Sequence, residues 1–212
     1  MKKVQLILML LLLTIFYNPL NSRARDYLYN QPEILLGGDF GLFRISLDQF
    51  EDIYTNRWGT SYGGFAGIRV FKGYYLMGKY GQFEKSGKQG THVESDLDLK
   101  DANWRESWYQ VGLRVHPPIV KKLNSYYGFG LSFFNVEEVD SLSAFNNQNE
   151  TNQNETGSGF YMELGLEYFP TEKLAAFFQF EISSGGIRGK TGFEAMSVGG
   201  YRLTTGISFW PF

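Results

Sequence analysis

Eight charged residues recur on the polar positions of alternating segments: Asp39, Glu163, Glu167 and Glu181 against Arg69, Lys79, Arg114 and Arg202. Four acids and four bases placed this way support one kind of chemistry, mutual neutralisation. An isolated charge in a low-dielectric interior costs several kcal/mol, so charges that share such a space must pair. The spacing therefore predicts an ion-pair ladder that fills and plugs an interior.

Arrangements that would support catalysis or cofactor binding are weaker. Gly185-Gly186-Ile187-Arg188-Gly189-Lys190-Thr191 has the look of a phosphate-binding loop. It is one spacer short, however, and a strand rather than a helix follows it. The stretch from Gly81 to Lys88 has five spacers and Gln89 where a hydroxyl is required. Glu94, Asp96, Asp98 and Asp101 form an acidic cluster without the spacing of a calcium loop. The two histidines, His92 and His116, are followed by Val93-Glu94 and by Pro117-Pro118. Neither sits two residues from a serine, as in barrel enzymes that act on lipid, and no Asp-x-His pair suggests a barrel protease. The expectation is no catalytic residue, no metal and no cofactor.

The elements that must position the eight charges have a period of two. Apolar residues alternate through Ile34 to Leu42, Tyr62 to Val70, Tyr74 to Tyr80 and Tyr109 to Val115. They do so again through Tyr127 to Phe133, Phe160 to Tyr168, Leu174 to Ile182 and Tyr201 to Phe209. Successive strand side chains point to opposite faces, so each segment reads as a strand with one apolar and one polar face. Two geometries fit: a soluble barrel or sandwich with the apolar face inside, or a membrane barrel with it outside. Alternation alone does not separate them.

Three features favour the membrane. The polar parity is rich in glycine, as a crowded concave lumen requires. Aromatics fall at matching levels: Tyr74, Tyr127, Tyr168 and Phe209 at one end, Tyr62, Tyr80, Phe133, Phe160 and Tyr201 at the other. This is the pattern of two interfacial girdles. Connections alternate as well. Residues 46–61, 85–104, 137–158 and 184–198 read as long polar loops, and 72–73, 116–125 and 170–173 as shorter turns. The fold expected is an all-β, eight-stranded antiparallel up-and-down transmembrane barrel.

The amino terminus reads as an address. Met1-Lys2-Lys3 precedes an apolar run of 14 residues, Val4 to Tyr17, too short to span a bilayer. Asn18-Pro19 breaks it, and Ser22-Arg23-Ala24 suits cleavage before Arg25. This predicts a signal peptide over residues 1–24 and a barrel domain over 25–212. Composition narrows the classes further. The chain has no cysteine, 20 basic and 22 acidic residues, and a mean hydropathy of −0.26. Disulfide scaffolds and thiolate chemistry are excluded, and a nucleic-acid partner is disfavoured because phosphate neutralisation needs a basic surface.

Signal peptide, eight amphipathic strands and a terminal aromatic together resemble the small outer-membrane β-barrels of Gram-negative bacteria, the group of the OmpA transmembrane domain, OmpX and OmpW. The carboxyl terminus, Gly206 to Phe212, bears most of the resemblance. It implies that Phe209, Trp210 and Phe212 form the signal read by the barrel-assembly machinery, although Pro211 departs from the pattern. The resemblance also implies location in the outer membrane, contact with its lipid and long loops turned outward. The function expected is non-enzymatic, envelope integrity or surface interaction with an extracellular ligand held by the loops. The alternative is a narrow channel or a conduit for hydrophobic solutes.

Two further expectations concern the long-loop end. Phe43, Phe65, Phe83, Trp108 and Phe134 take the inner parity and predict a small apolar vestibule there. The tandem repeat Asn147 to Thr151 and Asn152 to Thr156 predicts a flexible polar surface loop. A first test is electrophoretic. The mature protein from the outer-membrane fraction should run as a compact species unboiled and shift on boiling. A soluble periplasmic protein with no shift would reverse the inside-out assignment.

Overall fold

The computed structural model describes residues 32–47, 50–54, 56–91, 98–120, 122–140, 153–187 and 196–211. Its elements run β1 (Ile34–Ile45), α1 (Phe50–Tyr54), β2 (Trp58–Phe71), β3 (Tyr74–Thr91), β4 (Asp98–Val115) and β5 (Pro118–Val120). They continue as β6 (Leu123–Asp140), β7 (Gln153–Tyr168), β8 (Leu174–Ile187), β9 (Met196–Val198) and β10 (Gly200–Phe209). Eight long strands pair antiparallel with their neighbours, and β10 returns to β1 from Leu36↔Phe209 to Ile45↔Gly200. The result is a closed eight-stranded barrel. Closure leaves no sheet edge along the wall, which a lipid environment demands because nothing there can satisfy free backbone groups. The short β5 and β9 are appendages on β6 and β8.

The apolar parity faces out. Phe40, Tyr62, Ile68, Val111, Phe129, Phe160, Met162, Phe178 and Ile207 are all exposed. The girdle residues Tyr74, Tyr168 and Phe209 mark the short-turn end, and Tyr62, Tyr80, Phe133, Phe160 and Tyr201 the other, each of them exposed. A soluble protein could not present this surface to water; a bilayer solvates it.

Glycine on the inner parity marks places where a ring lies against the wall. A Cβ on Gly165 would sit 2.2 Å from Cζ of Tyr126, and one on Gly81 would sit 2.5 Å from the Trp108 indole. The two-residue turn Lys72-Gly73 depends on the positive φ of Gly73, 71°, which costs a residue without a Cβ little.

The strands run further at the long-loop end than the apolar alternation indicated. Pairing of β3 with β4 continues to Thr91↔Asp98, and β4 with β6 to Ala102↔Asp140. Pairing of β6 with β7 reaches Glu138↔Gln153. Most of 85–104 and much of 137–158, expected as loops, is therefore strand. The reason is that past the girdle the outer face meets water, so the ladder persists while the apolar outer row that marked it stops. Exposed Arg105 holds this region across strands, 2.8 Å from Glu84 on β3 and 3.3 Å from Glu137 on β6. The second copy of the tandem repeat enters the same ladder, with Thr156 opposite Asn135. Residues 147–152 lie outside the described residues, as do Glu94, Asp96 and the signal peptide.

The close fit of ring to wall gives a stability prediction. Gly165→Val should lower stability by about 1–3 kcal/mol, the cost of overpacking a filled interior. Gly78→Val, where a Cβ meets nothing within 4 Å, should be nearly neutral. Urea unfolding of both variants in lipid vesicles checks the contrast.

Candidate functional site

The interior is filled in three layers, and the strands set the depth of each. Nearest the short turns, Tyr75, Tyr126, Phe169, Phe177 and Trp210 form an apolar cluster with Leu35, Phe65 and Met77. Trp210 lies 5.6 Å from Tyr75, 5.1 Å from His116 and 5.4 Å from Phe169, ring to ring. Strand β10 ends at Phe209, which points outward, and the chain then turns Trp210 inward. There its Nε1 donates to Ser208 Oγ at 3.1 Å. Within the expected assembly signal, then, Phe209 and Trp210 face opposite sides of the wall. Phe212 lies outside the described residues.

The middle layer is charged. Arg114 grips Glu163 with two donors, Nε to Oε1 at 2.7 Å and Nη2 to Oε2 at 3.1 Å. Its guanidinium is stacked over Tyr126 at 4.3 Å and Phe65 at 4.8 Å. Glu163 and Glu181 are register partners across β7 and β8. Like charges placed directly opposite repel, and Lys79 resolves the conflict. Its Nζ lies 2.7 Å from Glu163 Oε2 and also bonds Glu181 Oε2. Arg202 bonds the same Glu181 oxygen at 3.2 Å and stands 3.6 Å from Asp39.

Neutral groups complete the network. Gln110 donates to Glu181 Oε1 at 2.9 Å and to Ser132 at 3.1 Å, while Gln179 accepts from Tyr126 OH at 2.9 Å. All of these side chains are buried.

Seven of the eight residues expected in the ladder occupy the interior, but not all in the expected partnerships. Arg69 is outside the cluster: its guanidinium lies 3.8 Å from exposed Glu33 at the short-turn rim. Parity pointed it inward, but its position near the end of β2 put it at the mouth. Glu167 also departs from the ladder. Its Oε1 accepts from Ser208 Oγ at 3.1 Å and its Oε2 lies 3.3 Å from His116 Nδ1. Reasoning from charge alone missed Gln110, Gln179, Tyr126, His116 and Tyr161, whose ring centroid lies 4.7 Å from Lys79 Nζ. The signal was available, since each continues the inner parity of its strand; His116 simply extends Arg114 by one more alternation.

The third layer lies under the long loops. Phe43, Phe83, Trp108 and Phe134 gather there as expected, joined by Trp104, Val136, Ile187 and Val198. Phe65 does not join them; it packs edge-on to Phe177, 5.6 Å away, in the short-turn cluster. The space expected as a vestibule is occupied. Helix α1 inserts Phe50 and Tyr54, stacked at 4.2 Å, with Phe50 edge-on to Trp104 at 5.5 Å.

One buried acid belongs to this layer. Glu106 lies three residues beyond exposed Tyr109, the register partner of the girdle residues Tyr80 and Phe133, roughly 10 Å past the membrane-spanning part at ~3.3 Å per residue. It is fully buried, and Oε1 accepts from the Gly199 N–H at 3.0 Å. Burial pushes its acid up to about 7, against a partial offset from that N–H and from the Trp104 indole. A carboxyl taken from water without a cation favours its neutral form.

Comparison with known proteins follows the same lines. A model of the outer membrane protein beta-barrel domain family matches residues 10–209, and the chain belongs to that family, whose members reside in the outer membrane. Among solved structures it is similar to Neisserial surface protein A, with 12% identity and a TM-score of 0.61 over 84% of this chain and 97% of that one. It is also similar to OprG of Pseudomonas aeruginosa, with 13% identity and a TM-score of 0.55 over 84% and 95%. Ail of Yersinia pestis, solved with the heparin analogue sucrose octasulfate, gives 11% identity and a TM-score of 0.51 over 84% and 99%. At such identities the likeness is one of fold. A search of curated proteins finds no match.

The network gives a graded expectation. Arg114→Ala leaves a buried carboxylate short of its bidentate partner and should cost about 3–5 kcal/mol. Arg69→Ala removes a rim contact and should cost less than about 1 kcal/mol. Equilibrium unfolding in vesicles reads both, and equal losses would refute the placement of Arg69 at the mouth.

Proposed function

We propose, for this member of the outer membrane beta-barrel family, a non-enzymatic surface role: a charge-plugged barrel serves as the anchor, and the strands that rise past its long-loop end make the contact. The observation supporting this reading is where pairing stops. Beyond the wall, β3, β4, β6 and β7 continue as one sheet. Pairing of β2 with β3 ends at Ser61↔Phe83, and pairing of β7 with β8 at Gly157↔Ile187. Among the described residues no strand covers the outer edge of β3 past Phe83 or of β7 before Gly157. Free edges of this kind accept an extended segment by strand addition.

Charge suggests the partner's chemistry. Residues 84–91, 98–107, 135–140 and 153–158 contain seven acids besides the buried Glu106, and four bases. An acidic sheet attracts a cationic, extended peptide and repels a polyanion of the sort named in the Ail structure. In this reading residues 1–24 direct export, and Phe209 is the part of the terminal signal that the assembly machinery can reach from outside the wall.

The chemistry of the interior supports a role without catalysis. The buried chain Ser208, Glu167, His116 places a carboxylate between hydroxyl and imidazole, so the imidazole is not set against the serine as in a hydrolase triad. Conduction, the second reading, must pass two aromatic clusters and the ion-pair layer. It is favoured by one feature, the aromatic lining beneath α1, which would receive a hydrophobic solute once Phe50 and Tyr54 lifted.

Binding of a fluorescent lysine-rich extended peptide to the protein in nanodiscs separates the readings. The display role predicts salt-sensitive binding that falls at least several-fold in a Glu84→Lys/Glu137→Lys variant, together with negligible conductance in planar bilayers. Peptide binding indifferent to the charge reversal, or open-channel steps in the wild type, would overturn it.

A further inference from the structure

Glu106, like Glu167, is a buried carboxylate that the ion-pair layer does not serve, and it has no imidazole beside it among the described residues. It faces Phe83 on β3 and Val136 on β6 by register, with Trp104 and Trp108 two residues to either side. Its Oε2 has no aligned hydrogen bond among the described residues.

The cations around it are committed elsewhere. From β3, Lys85 Nζ turns to Asn56 Oδ1 at 2.9 Å and to the Trp58 carbonyl at 2.7 Å. Arg57, ahead of β2, is 3.1 Å from exposed Glu51 of α1. Arg202 of β10 is held by Glu181 and Asp39 in the layer below. Arg105 and its partners Glu84 and Glu137 lie on the outer surface, and Arg44 falls on the outer parity between buried Phe43 and Ile45. Helix α1 contributes Tyr54, and β8 and β9 contribute Ile187 and Val198.

The bond from Gly199 to Glu106 is at a junction. Gly199 donates to it, while the Gly199 carbonyl accepts from Ser46 N–H at 2.9 Å and Gly200 N–H donates to Ser183 Oγ at 3.3 Å. Through that peptide Glu106 ties β4 to the segment entering α1 and to β8. The junction is built for one shape: Gly199 has φ of +89°, and a Cβ there would sit 2.7 Å from the Ser183 carbonyl.

We propose that Glu106 is a proton-binding site that latches the aromatic cap over the long-loop end of the barrel. The neutral acid accepts the Gly199 N–H and rests among rings at little cost. The ionised form needs solvation that no described cation replaces, and it obtains water by loosening the Gly199 junction and α1.

The sign follows from linkage. The closed cap holds the proton more tightly than an open, solvated carboxyl does, so protons stabilise closure. That contribution is complete below the ordinary value of 4.5, declines as pH rises and is lost above about 7. The cap is therefore tight in acid and looser in neutral to alkaline medium.

Acrylamide quenching of Trp104 and Trp108, in a Trp58→Phe/Trp210→Phe background in nanodiscs, reads the cap directly. Quenching should rise several-fold with pH, with a midpoint near 7. In Glu106→Gln it should stay low throughout. A carbon-13 titration of the wild-type Glu106 carboxyl needs no variant and should show the same midpoint.

Quenching that ignores pH, a transition that persists in Glu106→Gln, or a carboxyl that titrates near 4.5 would each overturn the latch. No peptide is present in these measurements. Failure of the latch thus leaves the display reading standing, and failure of peptide binding leaves the latch standing.

Discussion

Lys79 stands between Glu163 and Glu181, two carboxylates that the β7–β8 register places face to face. Without a cation at that point the strands could not keep this register, because like charges would meet in a space too narrow for water to screen them. The cation must come from across the barrel, so β3 is tied to β7 and β8 through the lumen as well as around the wall. Arg114 and Arg202 extend the same solution to either side. A slip of one residue in any of these strands would carry the charges into lipid and the apolar rows into the lumen. The ion-pair layer thus fixes register as well as filling space.

The two aromatic layers make that charged layer workable. Water admitted from either end would weaken each pair, and the clusters under the long loops and above the short turns exclude it. Their rings need room, which accounts for the glycines on the opposing wall. Trp210 serves the short-turn layer from beyond the last strand, and Phe50 and Tyr54 serve the long-loop layer from a helix outside the barrel wall. Each end is closed by a piece that is not itself wall, so the ends can differ in stability from the barrel between them. Glu106 makes the long-loop end the one whose packing depends on a proton.

The outer parity and the protruding sheet answer to different solvents, and this divides the molecule's roles. Through the membrane, lipid requires an unbroken ladder and an apolar face, which leaves little freedom for recognition. Past the girdle the strands keep their pairing but can carry acids, amides and hydroxyls on the outer face, as Glu84, Arg105 and Glu137 do. There the closed barrel opens into a sheet with edges, and specificity for a partner becomes available.

Much of this was legible in the order of residues. Alternation fixed the strands, the matching aromatic levels fixed the inside-out sense, and parity assigned eight charged residues to the interior, of which the structure places seven there. Which face a side chain takes is a local property, repeated every two residues. Depth is not local. It depends on strand tilt and on the register between strands distant in sequence, so parity sent Arg69 inward and only its level at the rim showed it outside the network. For the same reason Phe65 belongs with Phe177 rather than with Phe43, and His116, read as part of a turn, sits beside Glu167. The strand extensions past Phe83 and Gly157 were hidden for another reason, since water on the outer face removes the apolar signature there while leaving the hydrogen bonds. The sequence by itself determined the barrel and the sign of its faces; tertiary structure decided which charges meet, what closes each end and where Glu106 lies, because these depend on distances between strands that no single strand encodes.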